Sequence, residues 1–249
     1  MKQFAFSAVI TVGVCFSGLV APIFATTLSF DSSLNSPGGF YNGTGGVNEG
    51  FTVLDATNSD GSSLELGLSA ILRFTGPITP SGNNYTVPLG TSGGDALWDF
   101  SFSAYTGTDP LSTYSYSLAI TNQATSATVS FDPTLLPDNS YWTGGGNIGA
   151  TAAGAETSTK DLSSDDGFQN SENLSFSFLS SALGFSPTST DSYLITLAAT
   201  PVSGATDSVS IQVNPVPEPR SSSIVIGGLF LAAIVFFKNW TRDTSRSTG

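Results

Sequence analysis

Apolar residues recur at every second position over much of the chain between residues 26 and 214. Successive side chains of a β-strand point to opposite faces of a sheet, so each such run presents one apolar face to a core. Long amphipathic helices, with a period of roughly 3.6 residues, are not evident. The runs that predict strands are Leu64, Leu66, Leu68, Ala70, Leu72 and Phe74; Trp98, Phe100 and Phe102; Tyr114, Tyr116, Leu118 and Ile120; Leu174, Phe176 and Phe178; Tyr193, Ile195 and Leu197; and Val209, Ile211 and Val213.

Clusters of Gly, Asn, Asp and Ser separate these runs and indicate turns, as at residues 42–46, 81–84 and 92–95. About six to ten strands joined in this way predict an all-β fold, an antiparallel β-sandwich or jelly roll, as one domain over residues 26–214. Residues 144–166 are small, polar and poorly patterned, and we expect a long mobile loop there. The predicted core includes Trp98, Phe100, Leu118, Phe176 and Ile195.

The N-terminus has the features of a secretory signal peptide. Lys2 precedes an apolar stretch that ends at Ala25, before the polar residues Thr26 and Thr27. A basic start, an apolar segment and a small residue at the cut are typical of such a peptide, so residues 1–25 are predicted to be removed after Ala25. A lipoprotein signal with Cys15 as the lipidated residue is disfavoured, because the apolar run continues past Cys15.

The C-terminus contains a second apolar run, Ile224–Phe237, followed by Lys238, Arg242 and Arg246. A helix from about residue 221 to 240 would reach ~30 Å, the thickness of the hydrocarbon core of a bilayer. By the positive-inside rule the three bases stop the helix in the membrane and keep the chain end cytoplasmic. The predicted signal peptide places residues 26–214 on the other side, so both ends predict the same topology.

Residues 215–249 resemble the sorting tail of the PEP-CTERM proteins, which consists of a Pro-Glu-Pro motif, one membrane helix and a short basic end. The matching residues are Val216, Pro217, Glu218 and Pro219, the apolar helix, and the bases Lys238, Arg242 and Arg246. The bases are more widely spaced here than is usual in the family.

The resemblance implies cleavage near the Pro-Glu-Pro motif by an exosortase, a protease of the inner membrane. It thus implies transient single-span anchoring in that membrane, release to the medium or the cell surface, and association with exopolysaccharide. Pro217 and Pro219 lack amide donors and favour an extended backbone, which keeps such a segment out of a sheet or helix. An uncut linker to a permanent anchor remains the alternative.

The predicted domain is strongly acidic. From residue 26 to 219 the only bases are Arg73 and Lys160, against 18 acids, so its formal charge is 2 − 18 = −16. A surface of this charge repels phosphate backbones, which disfavours nucleic acid as a partner.

The chain has no histidine, and its one cysteine, Cys15, lies in the predicted signal peptide. These absences exclude an intrachain disulfide, zinc sites built on Cys or His, and nucleophilic catalysis that uses a histidine base. We expect the protein to fold without metal or cofactor, and no residue is assigned to a catalytic, cofactor or metal site.

Two kinds of acidic site remain as alternatives. A glycosidase needs two carboxylates that face each other across a sugar, and the candidate pairs are Asp95 with Asp99, and Asp165 with Asp166. The stretch from Asp55 to Gly61 looks like a calcium loop, but in EF-hand register Ala56 would fall on the first ligand position and Gly67 on the last. A solvated turn is the better interpretation.

Aromatic residues beside loops offer flat faces for sugar stacking, and Tyr141 and Trp142 are the predicted surface candidates, whereas Trp98 fits a core position. The leading hypothesis is a non-catalytic structural or matrix protein of the cell surface. The alternative is a carbohydrate-active enzyme or a carbohydrate-binding module that uses acidic and aromatic loop residues.

Overall fold

The computed structural model describes residues 25–35, 39–40, 47–57, 61–143 and 160–218. The predicted signal peptide up to residue 24, the predicted membrane helix 221–240 and its three bases lie outside the described residues. In the described part, no helix is long and apolar enough to cross a membrane.

Fourteen strands and one α-helix are formed by the described residues. The strands are β1 (Ala25–Ser32), β2 (Phe51–Thr57), β3 (Ser63–Leu72), β4 (Gly76–Pro77), β5 (Asn84–Pro88), β6 (Thr91–Ser92), β7 (Asp95–Ala96), β8 (Trp98–Tyr105), β9 (Tyr114–Asn122), β10 (Thr128–Phe131), β11 (Ser140–Trp142), β12 (Gly167–Glu172), β13 (Tyr193–Pro201) and β14 (Asp207–Val216). The helix, α1, spans Ser177–Leu183, and short 3₁₀ turns occur at Leu111–Thr113 and Pro133–Leu135. The all-β expectation is confirmed.

Two large sheets contain most of these strands. The first has the order β1-β2-β3-β8-β12-β11, with β4 paired to β3. The second has the order β10-β9-β13-β14-β5. All pairs are antiparallel except β14 with β5, which run parallel. The strands β6 and β7 form a separate hairpin.

The two sheets face each other across one shared core. Alternate residues of β8 and β13 point into this core and are fully buried. They are the aromatic and aliphatic positions of the predicted runs. Aromatic rings meet between the sheets: Tyr116 of β9 lies edge-on to Phe168 of β12, with ring centroids 5.0 Å apart. Trp98, Phe100, Leu118 and Ile195 are core residues as predicted.

The outer face of the first sheet is also covered. Leu34, Phe40, Phe51 and Val53 form a second buried cluster there, so β3 is buried on both faces along most of its length. Gly67 of β3 permits this packing, because a Cβ atom at that position would lie 2.4 Å from a methyl carbon of Leu34.

A buried tyrosine ties the second sheet to the first. The hydroxyl of Tyr85, on β5, lies 2.6 Å from the carbonyl oxygen of Gly50, 3.3 Å from that of Leu68 and 3.2 Å from Oγ1 of Thr52. Burial raises the pKa of Tyr85 to about 12, so the hydroxyl stays protonated and can donate.

The substitution Tyr85→Phe removes this link and leaves buried carbonyl oxygens short of a donor. We expect it to lower the free energy of unfolding by about 1–3 kcal/mol, measured by urea denaturation. Tyr105→Phe is the matched control, because the Tyr105 side chain is only half-buried. Equal stability of Tyr85→Phe and the wild type would contradict a structural role for this hydroxyl.

Several predictions about the middle of the chain were wrong. The alternation Leu174, Phe176, Phe178 is not a strand: it forms a turn and the start of α1, with Phe176 half-buried and Phe178 exposed. A three-residue alternation cannot distinguish a strand from a turn of helix, since Leu179 and Leu183 supply a helical spacing instead. Phe74 lies beyond the end of β3, exposed and with a positive φ of 62°.

The predicted loop 144–166 is described only from residue 160 onward. That part is not a mobile loop, because Asp165 and Asp166 are buried and hydrogen-bonded within the fold.

The last strand extends two residues beyond the predicted domain end at 214. Val216 pairs with Pro88, and Leu89 donates its amide to the carbonyl oxygen of Val216 at 3.0 Å. Pro215 is tolerated because the pairing of β14 with β13 ends at Val213, so beyond that residue β14 needs no donor on that side.

Candidate functional site

The acidic pair that flanks Trp98 meets a cation. Arg73, just after β3, donates from Nη1 to Oδ2 of Asp95 at 2.5 Å, and its Nε lies 3.7 Å from Oδ2 of Asp99. The β6–β7 hairpin presents Asp95, and the start of β8 presents Asp99. The structure therefore brings both carboxylates of this candidate pair together, but around one guanidinium.

Asn173 completes this network, which we call the Arg73 network (Arg73, Asp95, Asp99 and Asn173). Its side-chain amide nitrogen lies 2.6 Å from Oδ1 of Asp99 and 3.0 Å from the carbonyl oxygens of Ala96 and Trp98. Asp99 and Asn173 are buried. Carboxylates held in this way are structural ion-pair partners rather than free acids or bases.

A second buried acid, Glu172, was not singled out from the sequence. It lies at the end of β12 on the core side, opposite Phe100 in the pairing with β8, and is 2% exposed. Asn170 donates to Glu172 at 3.3 Å and to Asp138 at 2.8 Å. Burial, and then the charges of Asp138 and Asp99, raise the pKa of Glu172 to about 8.

Asp165 and Asp166, the other candidate pair, stabilise a turn. The Asp165 carboxylate accepts the backbone amide of Asp161 at 2.7 Å, and the carbonyl oxygen of Asp166 accepts hydrogen bonds from the amide and hydroxyl of Thr106. Burial is the main reason that the pKa of Asp165 is raised, followed by the charges of Asp161 and Asp166. The pair thus connects residues 161–166 to the end of β8.

The calcium-like stretch is only partly described. Asp55, Ala56 and Thr57 belong to β2, where Asp55 pairs with Glu65, and residues 58–60 lie outside the described residues. Among the residues described, no group of three acidic side chains is arranged to hold a metal ion.

The prediction that Tyr141 and Trp142 lie on the surface was wrong. Both are buried in β11. The hydroxyl of Tyr141 lies 2.8 Å from the carbonyl oxygen of Thr134. The Trp142 ring packs against Gly167, where a Cβ atom would lie 2.0 Å from a ring carbon. A neighbouring Gly-rich stretch suggested exposure, but a glycine on the adjacent strand instead makes room for the ring.

The segment predicted for sorting lies at the end of the fold. Val216 ends β14 and is 40% exposed, and Pro217 and Glu218 are exposed beyond the sheet. Pro219 lies outside the described residues, as do Lys238, Arg242 and Arg246. Ala25, the predicted last residue of the signal peptide, is the first residue of β1.

The described residues thus form an all-β domain of two facing sheets. No known family model matches the chain, and no curated protein is significantly similar to it.

Proposed function

We propose that this protein is a secreted bacterial structural protein without catalytic activity, sorted by an exosortase-type protease and retained in the extracellular matrix or at the cell surface. The observation that carries the sorting part is the way the chain leaves the domain. The last backbone hydrogen bond of β14 is made by the carbonyl oxygen of Val216, and Pro217 and Glu218 follow as exposed residues. A protease reaches such a segment without unfolding the sheet.

The surroundings of the acidic residues support a non-catalytic role. Asp95 and Asp99 pair with Arg73, and Asp165 accepts the Asp161 amide. Glu172 is buried, with a raised pKa. A glycosidase requires two carboxyls that face a sugar in an accessible cleft, and these four carboxyls are instead used inside the fold.

Processing at both ends is the test of the sorting proposal. In the native host, we expect the released protein to begin near Thr26 and to end close to Pro219, as read by mass spectrometry of the culture medium. Deletion of Pro217–Pro219, or the substitution Glu218→Gln, should leave the protein in the membrane fraction with its last residues attached, because the predicted helix still inserts.

Glu49→Gln is the matched control, since Glu49 is an exposed acid far from the tail in sequence. This variant should be processed like the wild type. Recovery of the unmodified protein from membranes with Gly249 still present would replace the sorting proposal with a permanent single-span anchor.

A further inference from the structure

The outer face of the second sheet is an array of uncharged polar side chains. The pairing registers place alternate residues of all five strands on this face, opposite to the buried core positions. We call it the hydroxyl face; its polar residues are Thr128 and Ser130 of β10, Ser115, Ser117 and Thr121 of β9, Thr196 and Thr200 of β13, Ser208, Ser210, Gln212 and Asn214 of β14, and Asn84 and Thr86 of β5. These side chains are exposed or half-buried.

Neighbouring strands pair their hydroxyl groups across this face. The oxygens of Thr196 and Ser210 are 2.8 Å apart, and those of Thr121 and Thr128 are 2.9 Å apart. In such a pair one hydroxyl donates to the other, so the pair still offers one proton and free lone pairs to a ligand. The pairing also fixes the rotamers before binding, which lowers the entropic cost of ordering them.

Small apolar residues lie between these groups. Leu194 is flanked in register by Thr121 of β9 and Gln212 of β14, and Ala119 and Ala198 occupy other positions of the same face. The arrangement therefore alternates hydrogen-bonding groups with apolar contacts. A pyranose ring offers the complementary pattern, with hydroxyls around its rim and C–H groups on its faces.

The distribution of charge over the domain indicates which kind of polymer could bind the hydroxyl face. The domain carries a formal charge of −16, yet no residue of the hydroxyl face is charged. On the first sheet, by contrast, β1 carries the exposed Asp31 and β2 the half-buried Asp55. An anionic polymer would be repelled by the acidic domain as a whole, and a cationic partner would favour the acidic surfaces. A neutral polymer has no such preference and can lie on a face that offers only hydrogen bonds.

We infer that the hydroxyl face binds a neutral polysaccharide, lying as an extended chain across the five strands. The inference rests on the proposed function, because it names the extracellular partner that would retain the secreted protein. The carbohydrate contact then lies on a sheet face, and not on the acidic and aromatic loop residues that the sequence suggested.

The test uses the full chain exported by the native host, purified from the medium or, if it is not released, from detergent-solubilised membranes. Depletion by amorphous cellulose, an insoluble neutral glucan, measures binding, and alginate beads provide an acidic polysaccharide for comparison. We expect binding to cellulose and none to alginate. The variant T121V/T196V/S210A removes three of these four paired hydroxyls with little change of shape, and should weaken binding about tenfold.

T91V/S92A is the matched control, because it removes two exposed hydroxyls from β6, outside the second sheet, and should bind like the wild type. If the triple variant does not fold, Gln212→Glu serves as a second variant. It keeps the size of the side chain and should weaken binding severalfold. Unchanged binding of the folded variants, equal binding to alginate, or no binding of the wild type would overturn the inference.

Two other ligands of the hydroxyl face would give distinct experimental results, and either result would also overturn the inference. Ice-crystal shaping that the triple variant loses would assign the face to ice, and a concentration-dependent dimer that it loses would assign the face to a second copy of the chain. The sorting proposal is read separately, by mass spectrometry of the chain ends. A correctly trimmed protein that binds no neutral glucan therefore contradicts only the inference about the face.

Discussion

The substitution Arg73→Met is expected to lower the free energy of unfolding by about 3 kcal/mol. It would leave Asp99, which is buried, with its negative charge uncompensated, and breaking a buried ion pair costs about 3–5 kcal/mol. We take the lower end because Asp95, the other partner, has a side chain that is 32% exposed and can be hydrated. Urea denaturation at neutral pH measures the effect.

Adding Asp99→Asn to Arg73→Met should restore most of the lost stability, since the buried charge is then removed as well. Lys160→Met is the control: Lys160 is exposed and its ammonium donates to the carbonyl oxygen of Thr134 at 2.7 Å, so we expect a change within about 1 kcal/mol. If Arg73→Met and Lys160→Met have equal effects, the Arg73 network does not stabilise the fold.

The stability of the wild type is expected to fall as the pH rises from about 4.5 to about 8. Glu172 has an ordinary pKa of 4.5 that is raised in the folded protein to about 8. Between these values the folded state holds a proton that the unfolded chain has released, so raising the pH favours unfolding. This group contributes a slope of at most about 1.4 kcal/mol per pH unit within the window and none outside it.

The substitution Glu172→Gln removes the ionisable group and retains an oxygen that accepts from Asn170. It should therefore be more stable than the wild type at pH 8 and similar to it at pH 4.5. Melting temperatures across this range, with the exposed Glu49→Gln as control, measure the difference. Parallel pH profiles for Glu172→Gln and the wild type would show that Glu172 does not titrate in this window.

Long alternating runs predicted strands correctly, because period two over six or more residues has no helical equivalent. The runs in β3 and β9 are examples, and their apolar positions from Leu64 to Ala70 and from Tyr114 to Ile120 are buried. Three positions are too few to define a period: such runs form strands in β8, β13 and β14, whereas the run Leu174–Phe178 forms a turn and the start of α1. The outer covering of the first sheet could not be predicted either, as it depends on Leu34 and Phe40, which follow no periodic run.

The acidic candidates show what the sequence could and could not provide. Proximity in sequence correctly joined Asp95 to Asp99, but their role depends on Arg73, more than twenty residues earlier, and on Asn173, more than seventy later. Glu172 carried no signal, because it belongs to a polar stretch, Gln169–Asn173, that gives no indication of burial. Burial of a carboxyl is a property of the assembled sheets rather than of its neighbours in the chain.

The position of β14 within the second sheet determines how the domain carries load. The chain leaves the domain at the end of this strand, which is flanked by β13 on one side and by β5 on the other. Tension applied through the tail would enter at Val216 and run along the strand axis. Residues 207–213 of β14 pair with β13 and residues 212–216 with β5, so pulling the strand out along its axis shears the hydrogen bonds of both ladders, whereas an edge strand pulled sideways opens bond by bond. The end of the domain that leads into the predicted tail is thus loaded in shear and is not peeled.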